Sequence, residues 1–178
     1  AAGQMGMTLK LTGAITAMAI PWITTKIPTY GQMVSRRDYD SLDKLFFKNI
    51  VQAVSLAAIG GFLLFVTIVM LNVYHFQLGR RMLDPLPFAL LTTIAVVNVV
   101  VFAQAAYLRA HKKEPFLINS VICGVLIALS TYYFGRKYGA AGMAVGYFLI
   151  GGVFGLIWAT RIFIKKRHEW HRNNKAHT

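Results

Sequence analysis

The chain has 178 residues, of which 56% are hydrophobic and only 14% are charged, too few charges to cover the surface of a soluble domain of this size. The single cysteine, Cys123, excludes an internal disulfide and a cysteine-based metal site. The net charge of +13 lies between hydrophobic blocks rather than on a basic face with interleaved aromatic residues. Anionic membrane lipids, and not nucleic acid, are therefore the expected partners of this charge.

Five stretches are long and apolar enough to cross about 30 Å of hydrocarbon as helices. In chain order they cover residues 5–27, 47–73, 84–108, 115–134 and 140–164. None alternates as the strands of a membrane barrel do, so the sequence predicts an all-α membrane protein with a bundle of five transmembrane helices. We expect residues 1–167 to form this transmembrane domain and residues 168–178 to form a basic cytoplasmic tail.

Several local signals mark the ends of the predicted helices. Asp84 predicts a helix cap, with Pro85 in the first turn, where a missing N–H costs little. Tyr138 and Gly139 predict a tight turn between the fourth and fifth stretches. Residues 29–46 combine apolar side chains three and four positions apart with many charges. This pattern predicts one amphipathic helix on the membrane surface, the alternative being an ordinary solvated connector.

The basic residues predict the orientation of the chain. Of the 19 Lys and Arg residues, 14 fall on loops and ends that share one side of the membrane, 4 fall on the other side, and Lys10 lies inside the first stretch. The side with more basic residues is expected to be cytoplasmic, so the C-terminus is cytoplasmic and the N-terminal end faces outward. The chain also begins almost directly in a hydrophobic stretch, which we interpret as a segment of a longer protein.

Catalysis is not expected from this sequence. All six acidic residues lie outside the apolar stretches or at their edges, and the chain has no nucleophile elbow, P-loop or glycine-rich dinucleotide turn. The histidines lie in loops or in the tail without a carboxylate-rich context that would support a metal site. We therefore expect no catalytic residues, no metal and no cofactor.

Polar residues inside the apolar stretches are the candidates for substrate binding. Lys10 is costly in a membrane helix unless it faces a water-filled cavity, where it would attract an anionic group, or reaches the interface with its long side chain. Gln52, Asn98, Gln104 and Asn119 could line the same cavity or form hydrogen bonds between helices.

Three segments resemble the C-terminal part of polysaccharide and O-antigen flippases, in the multidrug/oligosaccharidyl-lipid/polysaccharide exporter superfamily. They are IPTYGQ with SRRDYD at 27–32 and 35–40, YLRAHKK at 107–113 followed by Asn119, and YGAAGMAVGY at 138–147. The resemblance implies most of one lobe of a two-lobed transporter that works by alternating access. It also implies the bacterial inner (plasma) membrane, a lipid-linked sugar substrate carried on undecaprenyl diphosphate, and other polysaccharide-assembly membrane proteins as partners. A diphosphate substrate fits a lysine in the cavity, which gives Lys10 more weight.

Three other classes of protein remain open. A multidrug exporter of the same superfamily would use membrane-embedded acids for ion coupling, and this chain has none in its apolar stretches. A non-transporting scaffold of polysaccharide assembly is the second alternative. A membrane transferase would need acids near the membrane, for which Asp38, Asp40 and Asp43 are the candidates. Their spacing among basic residues is typical of surface charge.

Overall fold

The computed structural model describes residues 2–74, 83–111 and 116–175, and every regular element in these ranges is helical. The elements are α1 (Ala2–Thr24), α2 (Ile27–Ser35), α3 (Tyr39–Val73), α4 (Pro85–Ala110), α5 (Phe116–Tyr147), a π-helical segment (Phe148–Phe154) and α6 (Gly155–Lys175). The predicted all-α class is confirmed for the described residues.

Three helical segments in the described ranges are long and apolar enough to cross a membrane: Tyr39–Val73, Pro85–Ala110 and Phe116–Trp170. The predicted stretches 47–73 and 84–108 fall inside the first two. The first predicted stretch is a helix, α1, but it is not one of the three, because Lys10 and several Thr and Gly residues dilute its apolar content. The count of five crossings stays a prediction.

The third segment forms a helical hairpin. Its 55 residues would extend roughly 80 Å as one straight helix, far more than a membrane is thick. The chain turns at Gly139, whose φ of 63° and ψ of −147° are accessible to glycine and costly for other residues. Two arms, residues 116–138 and 140–175, pair across this turn, with Gly146 beside Ser130 and Gly155 beside Cys123. The tight turn predicted at Tyr138 and Gly139 is confirmed.

α4 lies at the centre of the bundle and contacts α1, α2, α3 and both arms of the hairpin. α1 runs antiparallel to α3, with Trp22 beside Gln52 and Ile15 beside Gly61. Near the other end of α1, the Thr8 hydroxyl accepts a hydrogen bond of 3.4 Å from the backbone N–H of Leu83, just before α4 begins. α1 therefore extends along most of the apolar length of α3 and α4.

The single surface helix predicted over 29–46 is wrong. α2 ends at Ser35, and Arg37 adopts a left-handed φ of 58°. The backbone N–H of Asp38 then bonds to the Met33 carbonyl at 3.1 Å, which closes α2. The Asp38 carboxylate accepts a hydrogen bond from the Ser41 N–H at 3.2 Å and caps α3, which continues without a break into its apolar part.

The basic residues collect at the end of the bundle where α2 lies, where α3 begins and where α4 and α6 end; we refer to it as the basic end. The described basic residues there are Lys26, Arg36, Arg37, Lys44, Lys48, Arg109, Arg161, Lys165, Lys166, Arg167, Arg172 and Lys175. At the opposite end the described ones are Lys10, Arg136 and Lys137. The basic residues Arg80, Arg81, Lys112 and Lys113 lie outside the described residues, as does Pro115 at the start of the predicted stretch 115–134.

Candidate functional site

The outward surface of α1 differs from that of the other long helices. Its exposed residues are mainly small, with one lysine, and run along one side of the helix: Gly3, Gly6, Lys10, Gly13, Ala14, Ala17 and Pro21. A Cβ atom added at Gly3, Gly6 or Gly13 would meet nothing within 4 Å, so packing inside the bundle does not require these glycines. We call this strip the α1 face.

The arm 116–138 presents the opposite kind of surface. Its exposed side chains include large apolar ones at every turn, namely Leu117, Ile118, Val121, Val125 and Leu129. Such a surface suits contact with lipid tails. The α1 face has larger exposed neighbours at Leu9, Met18 and Trp22, but its central strip offers lipid little to pack against.

A depression of about 480 Å³ lies between α1 and α3 at the basic end of the α1 face. Its lining includes both polar and aromatic side chains, among them Trp22, Thr25, Lys26, Lys48, Asn49 and Gln52. The indole Nε1 of Trp22 donates a hydrogen bond of 3.1 Å to the Gln52 side-chain oxygen and so joins the two helices. We call this region the basic-end depression.

Asn49 is the buried member of the depression. Its amide nitrogen donates a hydrogen bond of 2.9 Å to the hydroxyl of Tyr30, which lies on α2. Burial raises the pKa of Tyr30, and the hydrogen bond from Asn49 partly opposes this shift. The hydrogen bond to Tyr30 thus fixes Asn49 at the inner wall of the depression. Lys26 and Lys48 on its rim are exposed.

The five residues predicted to bind substrate are distributed over the bundle. Lys10 is exposed on the α1 face, and Gln52 lines the basic-end depression. Asn98 is half-buried in a separate, smaller depression of about 120 Å³. Gln104 is buried and donates to the Thr160 hydroxyl at 3.1 Å, which links α4 to α6. Asn119 is buried and its side-chain oxygen accepts a hydrogen bond from the Cys123 thiol at 3.4 Å.

A buried ion pair at the basic end was not predicted. Asp43 is only 8% exposed, so the interpretation of this residue as surface charge is wrong, whereas Asp38 and Asp40 are exposed as expected. Its Oδ2 accepts hydrogen bonds from Nε and Nη2 of Arg167 at 2.9 and 2.6 Å. Its Oδ1 accepts from the Tyr107 hydroxyl at 2.8 Å. Three helices, α3, α4 and α6, therefore meet at one carboxylate.

An aromatic stack lies next to this ion pair. The imidazole of His111 lies between the rings of Tyr39 and Trp170, at centroid distances of 5.9 and 3.8 Å, and is parallel to both within 9°. Its Nδ1 lies 3.1 Å from the Tyr107 carbonyl oxygen. His111 thus packs among α3, α4 and α6 as part of the structure, although the sequence placed it in a loop.

The described chain is a helical membrane protein with a structural ion pair and an open, lysine-rimmed depression at one end. Among the described residues, no group of three or more His, Cys, Asp or Glu side chains is placed to hold a metal ion. Comparison of the chain with protein-family models, with curated proteins and with solved structures finds no match.

The sequence contained a signal for the burial of Asp43 but none for the depression formed by Lys26 and Lys48. Asp43 falls between Tyr39 and Phe46 at helical spacing, on the same side as the apolar residues, which is where a buried acid would lie. Lys26 and Lys48 carried no such signal, because they flank a connecting segment in which lysines are expected on topological grounds alone. Only the antiparallel pairing of α1 with α3 brings them to one depression.

Proposed function

We propose that this chain forms part of a flippase that moves lipid-linked oligosaccharide, sugar repeat units on undecaprenyl diphosphate, across the bacterial inner membrane by alternating access. The resemblance of residues 27–32, 107–113 and 138–147 to O-antigen flippases motivates the choice of substrate. The α1 face is the observation that carries the proposal. A membrane helix that exposes small residues and one lysine suits a polar path between two lobes better than it suits lipid tails.

In this proposal five helices cross the membrane and α1 lines the path. The basic end and the C-terminus lie in the cytoplasm, in agreement with the excess of basic residues there. Lys10 lies near the outer end of the path and the basic-end depression near the inner end, roughly 24 Å apart along the helix axis. A path with cationic groups at both ends suits a substrate whose headgroup is an anionic diphosphate.

A multidrug exporter is the second candidate within transport. Such exporters use membrane-embedded acids for ion coupling, and the buried carboxylate among the described residues, that of Asp43, is already held by Arg167. The structural role of this carboxylate favours the flippase over the exporter.

The proposal is tested by filling the α1 face. Gly13→Leu places a large side chain on the α1 face. Gly124→Leu places the same side chain on the large apolar surface of the arm 116–138, which suits contact with lipid. Both glycines are exposed in helices, with open space at the Cβ position. In cells that depend on this protein, we expect Gly13→Leu to reduce surface polysaccharide at least several-fold and to cause lipid-linked precursor to accumulate inside. Gly124→Leu should have little effect.

Lys10→Ala provides a second test, with Lys137→Ala as its control at the same end of the bundle. We expect less surface polysaccharide in the first variant at unchanged membrane levels of the protein. Normal polysaccharide in both Gly13→Leu and Lys10→Ala would contradict the proposal. A scaffold that does not transport would also tolerate both changes, and a multidrug exporter would lose drug resistance while polysaccharide stayed normal.

A further inference from the structure

We infer that the basic-end depression is a binding site for the phosphate headgroup of a lipid, with Lys26 and Lys48 as the cationic ligands. The inference rests on the proposed function for the identity of the lipid, which is the diphosphate-linked carrier of the sugar. The argument for a phosphate site comes from the charge, the donors and the shape of the depression.

The described residues leave the positive charge of the depression without a carboxylate partner. Lys26 and Lys48 both line it, and neither forms an ion pair with a carboxylate in the described parts of the chain. Of the three acidic residues at the start of α3, Asp43 binds Arg167 and Asp38 caps the helix. Asp40 is exposed and forms no ion pair among the described residues. Two cations that share one concave surface repel each other unless an anion lies between them.

The hydrogen bond between Trp22 and Gln52 determines which uncharged N–H groups of the depression can bind a ligand. An indole N–H can only donate, so the bond from Trp22 fixes the side-chain oxygen of Gln52 as its acceptor. The two N–H groups of the Gln52 amide then remain available to a ligand. Thr25 also lines the depression, but its hydroxyl donates to the Trp22 carbonyl oxygen at 3.3 Å and is not one of the free donors. Lysines together with uncharged donors are a common way to bind phosphate oxygens.

The shape and position of the depression favour a lipid over a free ion. Its volume of about 480 Å³ exceeds what inorganic phosphate needs and falls in the range of sites for drug-sized ligands. Trp22 is 49% exposed and provides an aromatic wall, as is common where a site spans the boundary between headgroups and tails. Met18 is exposed one helical turn from Trp22 on α1, so a lipid tail can contact Met18 while the headgroup contacts the lysines.

The test measures binding of farnesyl diphosphate, a short polyprenyl diphosphate, to the full-length protein in nanodiscs of phosphatidylcholine. Lys26→Gln and Lys48→Gln are the site variants. Lys44→Gln and Lys165→Gln are matched controls, because both lysines are exposed at the basic end but do not line the depression. Both site lysines are also exposed, so the variants should fold, and their thermal unfolding is measured alongside.

We expect each site variant to weaken binding by about ten-fold, the usual effect of losing one charge-assisted hydrogen bond, and the controls to bind like the wild type. Increasing salt should weaken binding to the wild type more than binding to a double variant that carries both Lys26→Gln and Lys48→Gln. Equal affinity of all four variants, or equal binding of uncharged farnesol, would overturn the inference.

Competitors distinguish the possible sources of the phosphate. Pyrophosphate that competes as well as farnesyl diphosphate would overturn the inference of a lipid ligand. Phosphatidylglycerol that competes equally would support a lipid phosphate site but remove its selectivity for the sugar carrier. If binding requires both lysines but the protein moves no lipid-linked sugar, the binding site is supported and the flippase function is not. If transport is normal and binding does not depend on either lysine, the flippase function is supported and the binding site is not.

Discussion

Asp43 on α3 accepts two hydrogen bonds from the guanidinium of Arg167 on α6, although 124 positions separate the two residues in the chain. Tyr107 on α4 occupies the other carboxylate oxygen. A buried carboxylate is costly unless it is paired and hydrogen-bonded, so the register that satisfies Asp43 is favoured over neighbouring ones. The last helix is thus fixed against the first part of α3 by a polar contact within an otherwise apolar core.

We expect Arg167→Ala to destabilise the protein by about 2 kcal/mol. Removing one partner of a fully buried ion pair typically costs about 3–5 kcal/mol, and the side chain of Arg167 is 32% exposed, which lowers the cost through solvent screening. Thermal unfolding in detergent measures the difference. Lys166→Ala is the control, because its bond of 2.7 Å to Glu169 joins two side chains that are each about one third exposed on one helix. That variant should change stability by about 0.5 kcal/mol or less. Equal losses in the two variants would contradict the structural role of Asp43.

The cap of α3 predicts a dependence of stability on pH. Hydrogen bonds from the Ser41 side chain and from its backbone N–H hold the pKa of Asp38 below the ordinary value of 3.8. A carboxylate with a lowered pKa in the folded state contributes stability above its unfolded pKa, and this contribution is lost as the pH falls through the folded value. Asp38→Asn keeps a capping side chain that does not titrate. We therefore expect the wild type to lose more stability between pH 6 and pH 3 than this variant does.

Asp38→Ala removes both the capping side chain and its charge. This variant should be less stable than the wild type at pH 6 and should approach it at pH 3, where the wild-type cap is weakened. The measurement is thermal unfolding of the three proteins at both pH values. An Asp38→Asn protein with the full wild-type dependence on pH would rule out Asp38 as its source.

The hairpin turn gives a prediction about one glycine. A residue with a Cβ at position 139 must adopt a φ near 63° with an extended ψ, so Gly139→Ala should cost about 1–3 kcal/mol. Gly124→Ala is the control, because Gly124 lies inside a regular helix with open space at the Cβ position. There alanine should be neutral or stabilise by up to about 1 kcal/mol, since it favours the helix. Similar thermal unfolding of the two variants would show that the turn does not depend on Gly139.

Local signals in the sequence were sufficient for much of the fold. The apolar blocks predicted helices where α3 and α4 lie, and Gly139 predicted the turn. α4 begins at Pro85 as predicted, but the Asp84 side chain forms no capping hydrogen bond. The break between α2 and α3 was missed because it depends on Arg37 in a left-handed conformation, which arginine rarely adopts. Nothing in the local pattern of residues 29–46 distinguished this break from a continuous amphipathic helix.

The candidate site could be predicted only in part, because it depends on contacts between distant segments. Gln52 was identified, but Lys26 and Lys48 join it only when α1 and α3 pair in antiparallel fashion. Gln104 was predicted as a substrate ligand, and its bond to Thr160 instead supports the alternative of a contact between helices. A polar residue inside an apolar stretch has the same appearance in the sequence whether it faces a cavity or a neighbouring helix.

The topology can be tested by labelling single cysteines with a membrane-impermeant reagent, in a Cys123→Ser background that removes the only native thiol. Gly3→Cys and Lys137→Cys lie at one end of the bundle, and Lys44→Cys and Arg172→Cys lie at the basic end; all four positions are exposed. With five crossings and a cytoplasmic basic end, the first pair should react in intact cells and the second pair only after permeabilisation. Reaction at Lys137→Cys without reaction at Gly3→Cys would mean that α1 does not cross the membrane, and the proposed path along its face would then be lost. Reaction at Lys44→Cys in intact cells would reverse the orientation, because the excess of positive charge would then lie outside.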